Sequence, residues 1–376
     1  MPDQVELLRR LIVLDSVNPD LVPGGSGEAA IADYCAGWLA ERGFEITWLE
    51  ERPGRPSVVA VARGSGGGPA LMLNGHLDTV TLAGYDGDPL APRVEDGRLY
   101  GRGAFDMKSG LAAMMTAAAR AVAAGPLRGD LLVCCVADEE HSSAGTEEVL
   151  RGFSADAAIV TEPSHLEITL AHKGFAWFDV VVEGVAAHGS RPDLGVDAIA
   201  KAGHFLVAIE EWGERLAAGP AHPLLGRGSV HASLIRGGEE ASSYPAACRI
   251  TVERRTVPGE RPEAELAAIL DRLAATVPGF AYRLEPGLRR EPFEADREAA
   301  IVRTVLAQAE QVLGRPPVIR AEPFWTDCAL LAGAGIPCLL VGVDGGGAHA
   351  ATEWVELDSL DRLTELLTRT IWEFCS

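Results

Sequence analysis

The strongest constraint on the fold of this chain is a set of short apolar runs that end in residues able to bind metal or move protons. ALML (from Ala70) runs into NGHLDTV, LLVCCVA (from Leu131) into DEEH, AAIV (from Ala157) into TEPS, and PCLLVGV (from Pro337) into DGGGAHAATE. Unbroken apolar runs of this length read as strands buried on both faces, which points to a parallel sheet covered by helices. SVVAVA, from Ser57, reads the same way. Helical spacing of Val5, Leu8, Leu11 and Ile12, and of Ile31, Tyr34, Cys35, Trp38 and Leu39 before a capping Gly43, supplies two covering helices. The alanine-rich stretch from Ser109 to Ala124 supplies a third.

The middle of the chain has a different texture. Alternation in FAWFDVVVEG from Phe175, a helix over about 195–212, strands at VHASLI and CRITVERR and a helix over about 262–275 predict an inserted α+β segment. Beyond about Gly287 the α/β pattern resumes, with a helix over 298–313, the strand at Pro337 and a last helix over 358–374. The expected fold is therefore α/β, a mainly parallel sheet flanked by helices. One domain is made of 1–173 and 287–376, and 174–286 is inserted as a second.

Composition narrows the function. A chain of 376 residues that is 47% hydrophobic and 23% charged can bury a large core, so bulk disorder is excluded. A net charge of -21 repels phosphate backbones and anionic lipid surfaces, which argues against nucleic-acid or membrane partners. The seven cysteines include several in apolar runs and form no close Cys-x-x-Cys pair, as expected of buried thiols in a reducing cytoplasm. The acidic residues of MPDQVELLRRLIVLDS and the lack of any 18-residue apolar stretch predict neither export nor a spanning helix.

In an open α/β sheet the carboxyl ends of the parallel strands form the ligand crevice. His76, Glu140, Glu162 and His349 follow strand ends, and Asp106, in GRGAFDMKSG, can reach the same crevice. Two histidines and three carboxylates suit a pair of Zn²⁺-like ions, one carboxylate being shared; Co²⁺ and Mn²⁺ also suit such ligands. Asp78, two residues after His76, is placed to accept the spare ring N–H and fix the tautomer. Consecutive Glu139 and Glu140 cannot play one role from a strand end, so Glu140 binds metal and Glu139 faces the water as general base. A catalytically silent metal-binding relative would not need Glu139. A nucleotide site on GRGAF would need a third glycine in register, and Gly101 and Gly103 are followed only by Ser109 and Gly110. Thr326 and Asp327 read first as an N-cap for the next helix.

With these motifs assembled, the sequence resembles the dinuclear zinc amidohydrolases that include acetylornithine deacetylase, succinyl-diaminopimelate desuccinylase, carboxypeptidase G and aminoacylase-1. NGHLDTV, LYGRGAFDMKSG, ADEEH, TEP, AHKGFAWFDVVVEGVAAHGSRPDLGVDAI, SYPAACRITVERRTVPGE and GAHAATEWV occur in the family's order across essentially the whole chain. The resemblance implies a zinc exopeptidase-like catalytic domain and two divalent metal ions on His76, Asp106 as the bridge, Glu140, Glu162 and His349. Glu139 would be the base and Asp78 the orienting carboxylate. It implies further that the insert is a lid through which a homodimer forms, that His188 reaches a partner's site as donor to the substrate carbonyl oxygen, and that Arg255 grips a substrate carboxylate. Ser242 stands where many relatives have an asparagine that touches substrate, and Asp344, which reads as a turn residue, lies in GVDGGGAH where many have Gly-Pro-Gly. The implied activity is cleavage of the amide of an N-acyl amino acid, with a carboxypeptidase or dipeptidase acting on short peptides as the alternative.

Overall fold

The four apolar runs with polar ends form the centre of one sheet. Leu131–Val136, Leu71–His76, Ala157–Val160 and Cys338–Leu340 lie side by side in that order, each neighbouring pair parallel. Every residue of the four is buried. Leu71, Leu73 and Val133 share a core with Leu8, Leu111 and Leu363 from the helices Asp3–Val13, Lys108–Ala124 and Leu357–Phe374. Full burial of such a side chain contributes roughly 1.5–3 kcal/mol. The description comes from a computed structural model and covers residues 3–376.

Outside that parallel centre the strands reverse. Ser57–Ala62 is buried as expected, yet it pairs antiparallel with both Glu45–Leu49 and Leu131–Val136. The parallel reading of SVVAVA is thus corrected, because an apolar run reports burial on both faces and carries no information on direction. On the other flank Ile168–His172 runs antiparallel to Cys338–Leu340 and pairs with Phe293–Glu294. A small antiparallel sheet, absent from the sequence reading, orders Gly345–Gly346, Trp354–Glu356, Arg98–Tyr100 and Arg93–Glu95. Strands of two or three residues are too short to show a period.

The chain divides into two units. The first runs to Leu170 and takes in Ala295–Arg320 and Thr326–Ser376; the second is Ala171–Glu294 with Ala321–Trp325. In the second, four antiparallel strands lie in the order Ser229–Gly237, Ala247–Thr256, Gly174–Glu183 and Ala281–Arg290. Helices Ala198–Ala218 and Pro262–Thr276 bury Phe205, Trp212 and Leu270 against Phe178, Val180 and Ile250 of this sheet. The sequence placed the return to the first unit near Gly287, but Ala281–Arg290 continues through that glycine, with a shift of register between Pro286 and Arg289. All seven cysteines are buried and unpaired, and among the described residues no helix is long and apolar enough to cross a membrane.

Candidate metal centre

The parallel strand ends bring the expected side chains together within the first unit. His76 is the last residue of its strand, Glu139 and Glu140 follow Leu131–Val136, and Glu162 follows Ala157–Val160. Asp106 precedes the helix Lys108–Ala124, and His349 lies between the short strands Gly345–Gly346 and Trp354–Glu356. The two Asp106 oxygens face different histidines, Oδ1 lying 3.2 Å from His76 Nε2 and Oδ2 3.3 Å from His349 Nε2. His76 Nε2 is also 3.3 Å from Glu162 Oε1, and His349 Nε2 is 3.1 Å from Glu140 Oε2. Two His-Asp-Glu triads therefore share one aspartate. Bonds of about 2.0–2.1 Å from a tetrahedral ion give ligand-to-ligand edges of about 3.3 Å, which matches the distance from each histidine nitrogen to its two carboxylate oxygens. The Glu139 carboxylate comes within 4.8 Å of His76 and Glu162 ligand atoms.

Asp78 does more than the sequence suggested, and by a different contact. His76 Nδ1 lies 2.9 Å from the Asp78 main-chain carbonyl and 3.6 Å from its carboxylate, so the tautomer is set by backbone. The carboxylate instead accepts the backbone N–H groups of Glu139 at 3.1 Å and Glu140 at 3.2 Å, together with Asn18 Nδ2 at 2.7 Å. The Asn18 amide also donates to Asp138 at 3.1 Å, and Asp138 accepts from Arg55, which binds Glu28 through two of its nitrogens. Asp138, within this buried chain of contacts, and Ser143 have φ of 68° and 58°, on either side of the glutamate pair. His349 is likewise left-handed at φ 60°. Two residues earlier, a side chain on Gly347 (φ 79°) would strike the Thr352 carbonyl. The sequence carried no local signal for Asn18, Arg55 or Glu28, since each is recognised only by its distant partner, and Asp138 stood out only as the first residue of DEEH.

The electrostatics fit divalent cations. Burial pushes the Glu139 and Glu140 carboxyls above their ordinary range and Glu162 to about 8, and the negative neighbours push in the same direction. Burial opposes charge on His76 too, but the Glu162 and Asp106 carboxylates outweigh it and hold the imidazole well above its usual value. Hydrogen bonds to Asp106 and Glu140 raise His349 to about 10. Burial also opposes ionisation of Asp106, yet the two histidines override it and keep that carboxyl well below the usual range. Divalent cations would let the carboxylates ionise and the imidazoles stay neutral together.

The remaining sequence candidates are placed as follows. Asp327 does not cap the helix Cys328–Gly333; its carboxylate turns inward to accept from Thr146 Oγ1 at 2.6 Å, and burial pushes it up to about 6. The cap is the Thr326 hydroxyl, 3.3 Å from the Cys328 N–H. Asp344 accepts from its own neighbour Gly345 at 2.8 Å and pairs with His165 at 2.6 Å, in keeping with a turn residue. His188, Ser242 and Arg255 belong to the second unit. There the Gly189 N–H donates to the Ser242 carbonyl, and His188 bridges Ser243, so the first two share one exposed loop cluster. The Ser190 backbone N–H donates to His188 Nδ1 at 3.2 Å, which leaves Nε2 as the ring nitrogen free to donate. Strict alternation along Ala247–Thr256 separates the two arginines of ERRT: Arg254 is fully buried against Glu260, whereas Arg255 is a third exposed, 2.8 Å from Glu253 and over the Phe175 ring.

Residues 72–373 match the model of peptidase family M20/M25/M40. The chain is 33% identical over 361 residues to an acetylornithine deacetylase of Myxococcus xanthus, covering 92% of each protein. Its fold is similar to that of the aminopeptidase PepT of Bacillus cereus, with a TM-score of 0.81 at 20% identity over 100% of this chain and 98% of that one. It is also similar to the Bacillus subtilis YXEP protein, described as a dinuclear metal binding peptidase, with a TM-score of 0.75 at 17% identity over 99% of this chain and 97% of that one.

Proposed function

The chain belongs to peptidase family M20/M25/M40 and is a metal-dependent hydrolase, and on that premise we propose that it cleaves the amide bond of N-acyl amino acids, in the manner of acetylornithine deacetylases. His76, Asp106 and Glu162 would hold one divalent ion and His349, Asp106 and Glu140 the other, zinc being the first expectation and cobalt or manganese suiting the same donors. Ions held there supply Lewis acidity toward the scissile carbonyl and toward water. Glu139 accepts the proton of the attacking water at its carboxylate and returns it to the leaving nitrogen. Asp78 keeps Glu139 and Glu140 in register through their backbone N–H groups. His188 donates from Nε2 to the developing oxyanion from the partner chain of a homodimer, Arg255 pairs with the substrate carboxylate, and Ser242, on the neighbouring loop, stands beside His188.

The observation that supports this reading is the different placement of the two consecutive glutamates. Glu140 lies 3.1 Å from His349, while Glu139, one residue earlier, lies near His76 and Glu162 instead. The relationship to the Myxococcus xanthus deacetylase favours acylated amino acids, and unpaired buried thiols are compatible with a reducing compartment. Metal-reconstituted protein tested against N-acetyl, N-succinyl and N-formyl amino acids and dipeptides should turn over an N-acyl amino acid fastest. Faster release of a C-terminal residue from peptides would overturn the deacylase reading in favour of a carboxypeptidase or dipeptidase.

A further inference from the structure

We infer that Glu353, together with Arg102, is a positioning residue that sets Asp106 and His349 for metal capture, one buried carboxylate gathering the two loops that carry them. The inference rests on the reading of His76, Asp106, Glu140, Glu162 and His349 as a two-ion centre. Glu353 Oε1 accepts the backbone N–H groups of Phe105 at 3.0 Å and Asp106 at 2.9 Å. Its Oε2 accepts the Gly103 N–H and Arg102 Nη1, each at 2.9 Å. All four acceptor positions of the carboxylate are filled, and the two side chains are only 1% and 2% exposed. Arg102 carries the link across, donating through Nε to the Thr81 carbonyl at 3.1 Å and through Nη2 to the carbonyl of Ala350, next to His349, at 3.0 Å. Immediately beyond Glu353, Trp354 pairs with Tyr100, which closes the same two loops into the small sheet.

A buried ion pair is a poor way to gain stability, because desolvation offsets most of the attraction. What this one supplies is direction. The turn from Gly103, at φ 77°, to Asp106 aims three N–H groups at one point, and each would be an orphaned donor without an acceptor there. Glutamine is no substitute, since its amide nitrogen would turn donors toward donors on one side. A carboxylate is required, and through the Asp106 backbone it fixes the residue that both triads share.

The test measures metal uptake directly. Calorimetric titration of metal-free protein with Zn²⁺, and the visible spectrum with Co²⁺, should show two ions in the unaltered chain. Glu353→Gln should weaken both binding steps about 10- to 100-fold, as loss of a residue supporting a ligand does, and alter the Co²⁺ spectrum. Glu353→Asp, which keeps the four acceptor positions at shorter reach, should fall between. Affinities within twofold of the unaltered chain would overturn the inference, and so would a lowered metal-free Tm with those affinities retained, because a purely structural role moves only the Tm. If Glu353→Gln does not fold, Glu353→Asp decides by the same two affinities. Fewer than two ions on the unaltered chain would overturn the two-ion reading and this inference with it; two ions on both proteins with equal affinity overturns this inference alone.

Discussion

The first unit holds its candidate site from behind, while the second leaves its candidates to be completed by something else. Around the candidate metal centre His76, Glu140 and Glu162 follow the ends of buried strands, and the backbones of Glu139, Glu140 and Asp106 are bonded to further buried carboxylates: Asp78 behind Glu139 and Glu140, and Glu353 behind Asp106. In the second unit His188 and Ser242 lie on two exposed loops joined by main-chain contacts, and the Arg255 side chain lies 2.8 Å from Glu253 and over the Phe175 ring. The difference teaches that a site which must bind small cations at fixed spacing needs its scaffold in place beforehand, whereas groups that meet a substrate or a second subunit can be set on arrival.

The sharpest way to break this comparison is to remove the metal. Chelation should abolish hydrolysis, and elemental analysis of reconstituted protein should give two ions per chain; one ion at saturation would leave Asp106 as an ordinary ligand and dissolve the shared-triad picture. Next in size, Glu139→Gln should lower kcat by about 10²–10⁴ with metal content and Tm retained, and normal turnover would move the base elsewhere. On the second unit, His188→Ala should lower kcat by about 10²–10³ with metal content unchanged. Mixing that variant with Glu139→Gln and allowing subunits to exchange should restore activity, since one site of the mixed dimer has both groups intact; verified exchange without recovery would end the role in trans. The smallest effects separate neighbours on one strand. Arg254→Met, which takes from Glu260 its charged partner, should cost about 3 kcal/mol in chemical denaturation, whereas Arg255→Met should change stability by less than about 0.5 kcal/mol and raise KM. Equal stability losses would mean that Arg255 is structural as well.

Legibility followed the range of the interaction. Burial of Leu71–His76 or Leu131–Val136 is visible in a few consecutive residues, and so is the alternation of Ala247–Thr256 that hides Arg254 and presents Arg255. The direction of Ser57–Ala62 is not, because the same apolar run satisfies a parallel or an antiparallel neighbour. Nor was the strand Ala281–Arg290 expected, since Pro286 and Gly287 interrupt its pattern at the register shift.

The amino-acid sequence by itself determined an α/β architecture, an inserted α+β segment and a set of histidines and carboxylates gathered at the carboxyl ends of strands. Hydrophobic period and strand-end chemistry are local properties, and they survive without knowledge of neighbours. Tertiary structure alone decided that Asp78 speaks to the glutamate backbones, that Asp327 turns from its helix to Thr146, and that Asn18, Arg55, Arg102 and Glu353 stand behind the ligands. The physical reason is that a buried polar group must find its partner wherever the fold brings one within about 3 Å, and a residue's own sequence neighbourhood does not record which distant group that will be.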